Sequence, residues 1–199
     1  MMKFMTKCKW CTVNEKMERY HDTEWGVPLF DDNAQFEFFS MEVMQCGLNW
    51  NMMLNKRDIF RACFDNFDYR KVAQYGQTDI DRIMAAENMI KSKRKIRAVI
   101  HNAKIFVRIA EENGSFSKYL WRLADNKIHL YPDHLNGDLP AKNDLSEFIS
   151  AQLKKQGFKF AGPVTVYSHL QACGIINDHS ANCFRRGEVM KNRETVIDR

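Results

Sequence analysis

An all-α fold is predicted for this 199-residue chain by the rarity of breakers, the recurrence of amphipathic stretches and the placing of the breakers that do occur. Glycines number nine and prolines four, and stretches rich in Leu, Met, Lys and Glu, good helix formers, fill the intervals. Gly47, Gly157 and Gly174 stand where apolar periodicity stops, and Pro163 stands where it starts. The chain is long enough for a sizeable core, and one domain is the default.

Taken in order, the elements each have a local reason. Residues 20–28, Tyr-His-Asp-Thr-Glu-Trp-Gly-Val-Pro, form a turn crowded with aromatic, imidazole and carboxylate groups. A helix follows, with Asp32 as its cap and Gln35 three residues on, presenting Phe36, Phe39, Val43 and Met44 to the core. Glu42 sits at the edge of that stripe, so half burial is expected for it, with direct bonding to a ligand or a raised pKa as the consequence. Gly47 ends this helix before Leu48, Asn49 and Trp50. A helix over 144–156 opens on Asp144 and Glu147 as a capping box and carries Leu145, Phe148, Ile149 and Leu153 on one side. Gly157 stops it, and Gly162-Pro163 starts the next helix, which runs to Gly174.

Three groups of residues carry chemistry. Cys8 and His21 near the start, with His179 and Cys183 near the end, make a complete Cys2His2 donor set for zinc, which would tie the chain ends together. Histidine and cysteine four apart share one face of a helix, but His169 and Cys173 have the same spacing, and Cys8 and Cys11 form a C-x-x-C, so spacing alone leaves the set open. Tyr20, Trp25, Glu42 and Trp50 supply the aromatic plates and carboxylate that a pocket for a flat, electron-poor base requires. The helix, short hairpin and helix over 144–174 turn backbone N–H groups outward beside Lys154, Lys155 and Lys159, a geometry suited to a DNA phosphate. A second basic run, Lys91 to Lys104, holds six Lys or Arg and no acid. Such a run is either a solvated helix face or a phosphate footprint.

Together these blocks resemble the 3-methyladenine DNA glycosylase I family, within the helix-hairpin-helix glycosylase superfamily. The resemblance runs from about Cys8 to Cys183. It rests on Lys-Cys-Lys-Trp near the start, the 20–28 block, residues 42–50, residues 61–64, the hairpin Gly157 to Gly162, and residues 171–183. It implies a structural zinc at Cys8, His21, His179 and Cys183, which sets aside His169 and Cys11. It further implies a pocket in which Tyr20, Glu42 and Trp50 receive the everted base and Trp25 supports the wall. Glu42 would be the principal polar reader and the residue closest to the chemical step. Gly47 and Leu48 would enter the base stack, and Gly157, Lys159 and Gly162 would hold a phosphate. Met17, Cys46 and Asn49 depart from the residues usual in the family.

The expectation is therefore a single catalytic domain over 1–183 and a charged, frayed tail over 184–199. The expected function is release of 3-methyladenine from alkylated double-stranded DNA, leaving an abasic site, by a monomeric enzyme with one structural zinc ion; the alternatives are a noncatalytic zinc-bearing DNA-binding module and a glycosylase for another N-alkylated purine. No apolar run approaches the length of a membrane span and the opening residues lack a signal-peptide core, so the reading is cytoplasmic, on a bacterial nucleoid.

Overall fold

The computed structural model describes residues 6–136 and 139–198, so residues 1–5 and Arg199, at the outer ends of the expected domain and tail, lie outside it. Among the described residues the regular structure is helical apart from one pair of short strands. In chain order come α1 (Glu15–Thr23), α2 (Asp32–Gln45), α3 (Trp50–Asn55), α4 (Arg57–Cys63), α5 (Tyr69–Val72) and α6 (Gln77–Ala85). Then follow α7 (Lys93–Asn113), α8 (Phe116–Leu123), β1 (Ile128–Leu130), α9 (Asp144–Lys155), α10 (Pro163–Ala172), α11 (Phe184–Val189) and β2 (Thr195–Ile197).

Helix α2 is the axis of the core. Every residue from Gln35 to Met44 is buried, polar ones included, because α3, α5, α7, α8 and α10 enclose it. Its Phe36 and Phe39 meet Phe106 of α7, which stacks on Phe116 of α8. The hairpin between α9 and α10 drives Phe158 into the same cluster, 5.4 Å from Phe39 and 5.7 Å from Phe106. The hairpin is thus anchored by an aromatic side chain in the central core, and burying a phenylalanine is worth roughly 1.5–3 kcal/mol.

Several local expectations are corrected. The cap of α2 is Asp31, which accepts from the Ala34 amide at 2.8 Å. Asp32 instead accepts from the amides of Phe116 and Ser117, at 3.0 and 2.8 Å, and so caps α8 across 84 residues of sequence. The box at α9 is formed by Asn143 and Ser146, each bonding the other's backbone at 2.9 Å, rather than by Asp144 and Glu147. His179 and Cys183 do not share a helix: residues 177–182 are irregular and Cys183 is the cap of α11.

The frayed tail is also corrected. Beyond Cys183 the chain forms α11, then β2 pairs in parallel with β1, Thr195 opposite Ile128 and Ile197 opposite Leu130. The Asp198 amide continues the ladder to Leu130 and its carboxylate meets His129 Nδ1 at 2.8 Å. The Arg193 guanidinium lies 4.7 Å from the centre of the Phe30 ring, which fastens the segment to the body. Among the described residues no helix is long and apolar enough to cross a membrane.

Candidate active site and metal-ligand cluster

Helices α1, α2 and α3 bring Tyr20, Glu42 and Trp50 to one cavity of about 460 Å³. Tyr20 and Trp50 lie 5.5 Å apart between ring centres and are tilted by 49°. Phe38 backs the Tyr20 ring edge-on. Trp25 lines the cavity from the turn after α1, as expected, and Trp10 packs edge-on against it at 4.9 Å. Met17 contributes apolar wall. Trp10, Gln45, Leu139, Ser168 and Gln171 also line the cavity. The reading of the sequence had not included these five.

Glu42 is only 6% exposed, not half buried, because α2 is enclosed on all sides. Its carboxyl makes no side-chain hydrogen bond with any described residue, and burial pushes its pKa up to about 8. Burial, and then the charge of Glu42, pushes the Tyr20 phenol well up, leaving it a neutral donor. The Trp50 indole N–H is likewise buried with no described partner. Two polar groups held without partners beside aromatic faces, at a cavity wide enough for a purine, mark a binding site. A wider hollow of about 720 Å³ lies beside β1 and α9, but its two histidines are already paired, His129 with Asp198 and His134 with Asp178.

Behind Trp25 stands the cluster of Cys8, His21, His179 and Cys183, all buried, with donor atoms within 4.8 Å of one another. Cys183 Sγ lies 3.4 Å from His21 Nε2 and 3.5 Å from His179 Nδ1, and Cys8 Sγ lies 3.7 Å from His179 Nδ1. Bond lengths of about 2.0–2.3 Å around one tetrahedral ion require edges of roughly 3.3–3.8 Å, which these three separations meet, so the cluster could hold a metal ion. The remaining ring nitrogens are oriented from outside. Asp22 faces His21 Nδ1 at 2.8 Å, and the Trp25 carbonyl faces His179 Nε2 at 3.2 Å. Hydrogen bonding from Cys183, with further help from His179, pulls the Cys8 thiol far down, so a thiolate is favoured there. Gly26 makes room: a Cβ there would sit 2.8 Å from His179 Nε2. His169 and Cys173 stay outside. Both His169 nitrogens are buried with no described partner, its ring is edge-on to Phe39, and burial pulls its pKa down to about 3. Cys11 turns its thiol to the Cys8 carbonyl.

Gly47, with φ of +85°, lets the chain leave α2 so that Leu48 stands 38% exposed, two residues before Trp50. Lys95 fixes this exit, donating to the carbonyls of Met44 and Cys46 at 2.7 and 2.8 Å. In the hairpin, Gly157 has φ of +97° and Gly162 precedes Pro163 at the head of α10. The amides of Gly157, Phe158 and Lys159 are used internally, the last by Asn102 at 2.8 Å. Those of Phe160, Ala161 and Gly162 meet no acceptor among the described residues. The basic run on α7 places Arg94, Arg97 and His101 beside Lys159 and Phe160, so one residue of the hairpin cluster joins the α7 run in an electropositive surface.

Comparison with known proteins agrees with this geometry. The methyladenine glycosylase family model matches residues 10–186. The chain belongs to that family. DNA-3-methyladenine glycosylase 1 of Escherichia coli is 35% identical, over 90% of this chain and 96% of that protein. DNA-3-methyladenine glycosylase of Haemophilus influenzae is 34% identical, over 89% and 96%. The crystal structure of a tyrosine-to-phenylalanine variant of 3-methyladenine DNA glycosylase I with bound 3-methyladenine superposes with a TM-score of 0.85 at 34% identity, covering 92% of this chain and 98% of that one. In this methyladenine glycosylase the residues described for the cavity, the hairpin and three of the four cluster residues, His21, His179 and Cys183, fall within the matched span; Cys8 stands two residues before it and β2 lies beyond it.

Proposed function

We propose that this protein is a monofunctional DNA glycosylase that releases 3-methyladenine from alkylated duplex DNA. The observation that carries the reading is Glu42, a buried carboxyl without a partner among the described residues, lining one cavity with Tyr20 and Trp50. Methylation at N3 makes the adenine in DNA cationic. Burying a cation beside Glu42 supplies the carboxylate's missing partner, and stacking on Trp50 is worth roughly 1–3 kcal/mol. Eversion of the nucleotide costs a few kcal/mol, less for a damaged pair, and the exposed Leu48 is placed to fill the vacated stack. Departure of the base as neutral 3-methyladenine discharges the cation, so leaving-group protonation is dispensable. The sugar passes through an oxocarbenium-like state that water captures. Glu42 is the one carboxylate among the described residues lining the cavity, so the paired carboxylates of glycoside hydrolases are not reproduced.

The cluster at Cys8, His21, His179 and Cys183 is assigned to zinc. Two thiolates and two imidazoles suit its tetrahedral preference, and four protein ligands leave no open position, so the role is structural. The α9 hairpin and the α7 surface are assigned to the DNA backbone, in the manner of a helix-hairpin-helix element. Exchanging Lys159 for glutamate is expected to weaken binding to all duplexes alike and to lower the salt slope by about one to two; fluorescence anisotropy across a salt series reads this, and an unchanged slope removes Lys159 from the interface.

Chromatography of bases released from methylated duplex DNA tests the enzymatic reading. Wild type is expected to release 3-methyladenine, and Trp50→Ala about 10- to 100-fold more slowly, from the stacking energy. DNA binding without any released base would point instead to a noncatalytic DNA-binding module.

A further inference from the structure

Gln171, on the last turn of α10, is held by a buried acid that the chemistry above does not use. Asp178 has a fully buried side chain, and three groups from different elements or turns converge on it. Its Oδ1 accepts from His134 Nδ1 at 2.7 Å, and its Oδ2 accepts from the Tyr167 hydroxyl and from Gln171 Nε2, the latter at 2.7 Å. An ionised carboxylate has only lone pairs to offer, so it must meet the amino end of the Gln171 amide. The other end is thereby fixed as well: Oε1 turns away from Asp178, and it accepts from no described residue. Gln171 lines the base cavity and Asp178 does not. Its backbone is pinned too, since its carbonyl accepts from the Gly26 amide at 3.1 Å.

A fixed acceptor at this wall complements Glu42. With its pKa near 8, Glu42 can meet a ligand either as carboxylic acid or as carboxylate, donor or acceptor. A group that can do both cannot by itself tell an amino substituent from a carbonyl. Gln171 can, because turning its amide over would aim the carbonyl at Asp178. Adenine carries an exocyclic N–H donor where guanine carries a carbonyl acceptor, and a buried acceptor facing an acceptor is left unpaired.

We propose that Gln171 is a specificity-determining residue whose side-chain carbonyl, oriented by Asp178, accepts from the exocyclic amino group of an alkylated adenine and disfavours 6-oxo purines. This rests on the cavity being a base site, as proposed above.

The test separates the two readings. Free 3-methyladenine and 3-methylguanine are titrated into wild type while tryptophan fluorescence is followed, since Trp10, Trp25 and Trp50 all line the cavity. Release of both bases from methylated duplex is measured in parallel under single-turnover conditions. Wild type is expected to favour the adenine at least tenfold in both assays. Gln171→Met, of similar length, is expected to lower adenine release about 10- to 100-fold and guanine release by less than about threefold. Asp178→Asn, which frees the amide to invert, should erode the preference in the same direction. A purely structural role would lower both bases in parallel and leave their ratio unchanged; that result, or equal affinity of wild type for the two free bases, overturns the proposal. Should the variants fail to fold, the wild-type affinities still decide it. Base preference without release would sink the glycosylase reading and leave Gln171 standing.

Discussion

Glu42→Gln is expected to make the protein more stable at pH 8.5 and a poorer enzyme at every pH. Burial alone raises the Glu42 pKa from 4.5 to about 8, so the native state holds a proton there that the unfolded chain gives up. The sign follows from linkage. The contribution of Glu42 is fully present below about pH 4.5, is lost progressively as pH rises, and levels off above about pH 8. Over that window the loss is on the order of a few kcal/mol. Glutamine has no such titration. The variant should therefore melt close to wild type at pH 5 and higher by about 5–10 °C at pH 8.5, taking roughly 2–4 °C per kcal/mol for a chain of this size. Base release should move the other way, falling about 100-fold, because an amide cannot neutralise a cationic base in a buried site. Thermal melts at the two pH values and single-turnover release check both halves. Equal melting at pH 8.5 would mean that Glu42 is not held as a buried acid. A stabilised variant with wild-type release would mean that the retained cost serves something other than this base.

Much of this site was legible because its residues lie close together in the sequence and carry distinctive chemistry. Tyr20, Trp25, Glu42, Gly47, Leu48 and Trp50 fall within 31 residues on α1, α2, α3 and their joins, and the ends of α9 and α10 were marked by Gly157 and Pro163. What local pattern could not supply was pairing at a distance. Nothing in the sequence around Asp32 says that its carboxylate caps a helix starting at Phe116. Three residues of β2, mostly exposed and charged at their flanks, look like a tail until β1 is found beside them. Ser168 and Gln171 reach the cavity from a helix more than 120 residues after Glu42. The spacing of His179 and Cys183 misled in a useful way. Four residues suit a helical chelate, but an irregular segment with Cys183 as a helix cap brings the same two atoms to 3.5 Å. The true helical pair, His169 on α10 and Cys173 at its end, is sealed in the core.

Loss of the zinc proposed for the Cys8, His21, His179 and Cys183 cluster is expected to cost the most stability and to damage the base site with it. The four donors join residue 8 to residue 183, and beside them the Phe184 amide donates to the Thr6 carbonyl at 3.0 Å, so the segments around residues 6–8 and 183–184 are held together. Structural zinc contributes roughly 10–16 kcal/mol of apparent folding free energy in small peptides, and less where a core exists, so several kcal/mol and a drop of roughly 10–20 °C in Tm are expected for Cys183→Ser or after exhaustive chelation. Cys173→Ser is the control: it should leave metal content intact, since that thiol lies on α10 away from the cluster. The coupling to function runs through two contacts. His21 follows Tyr20 on α1, and His179 Nε2 meets the Trp25 carbonyl at 3.2 Å while its ring packs edge-on to the indole at 4.6 Å. With no ion to hold its Nδ1, His179 loses the constraint that keeps Trp25 against Trp10. The affinity for free 3-methyladenine should then fall about tenfold or more at a temperature where Cys183→Ser remains folded, by analogy with the effect of removing outer-shell support at metal sites. Metal content by plasma emission, circular dichroism melts and base titration on the same preparations decide the matter. A metal-free protein that melts and binds base as wild type does would reduce the cluster to four buried side chains with no part in either.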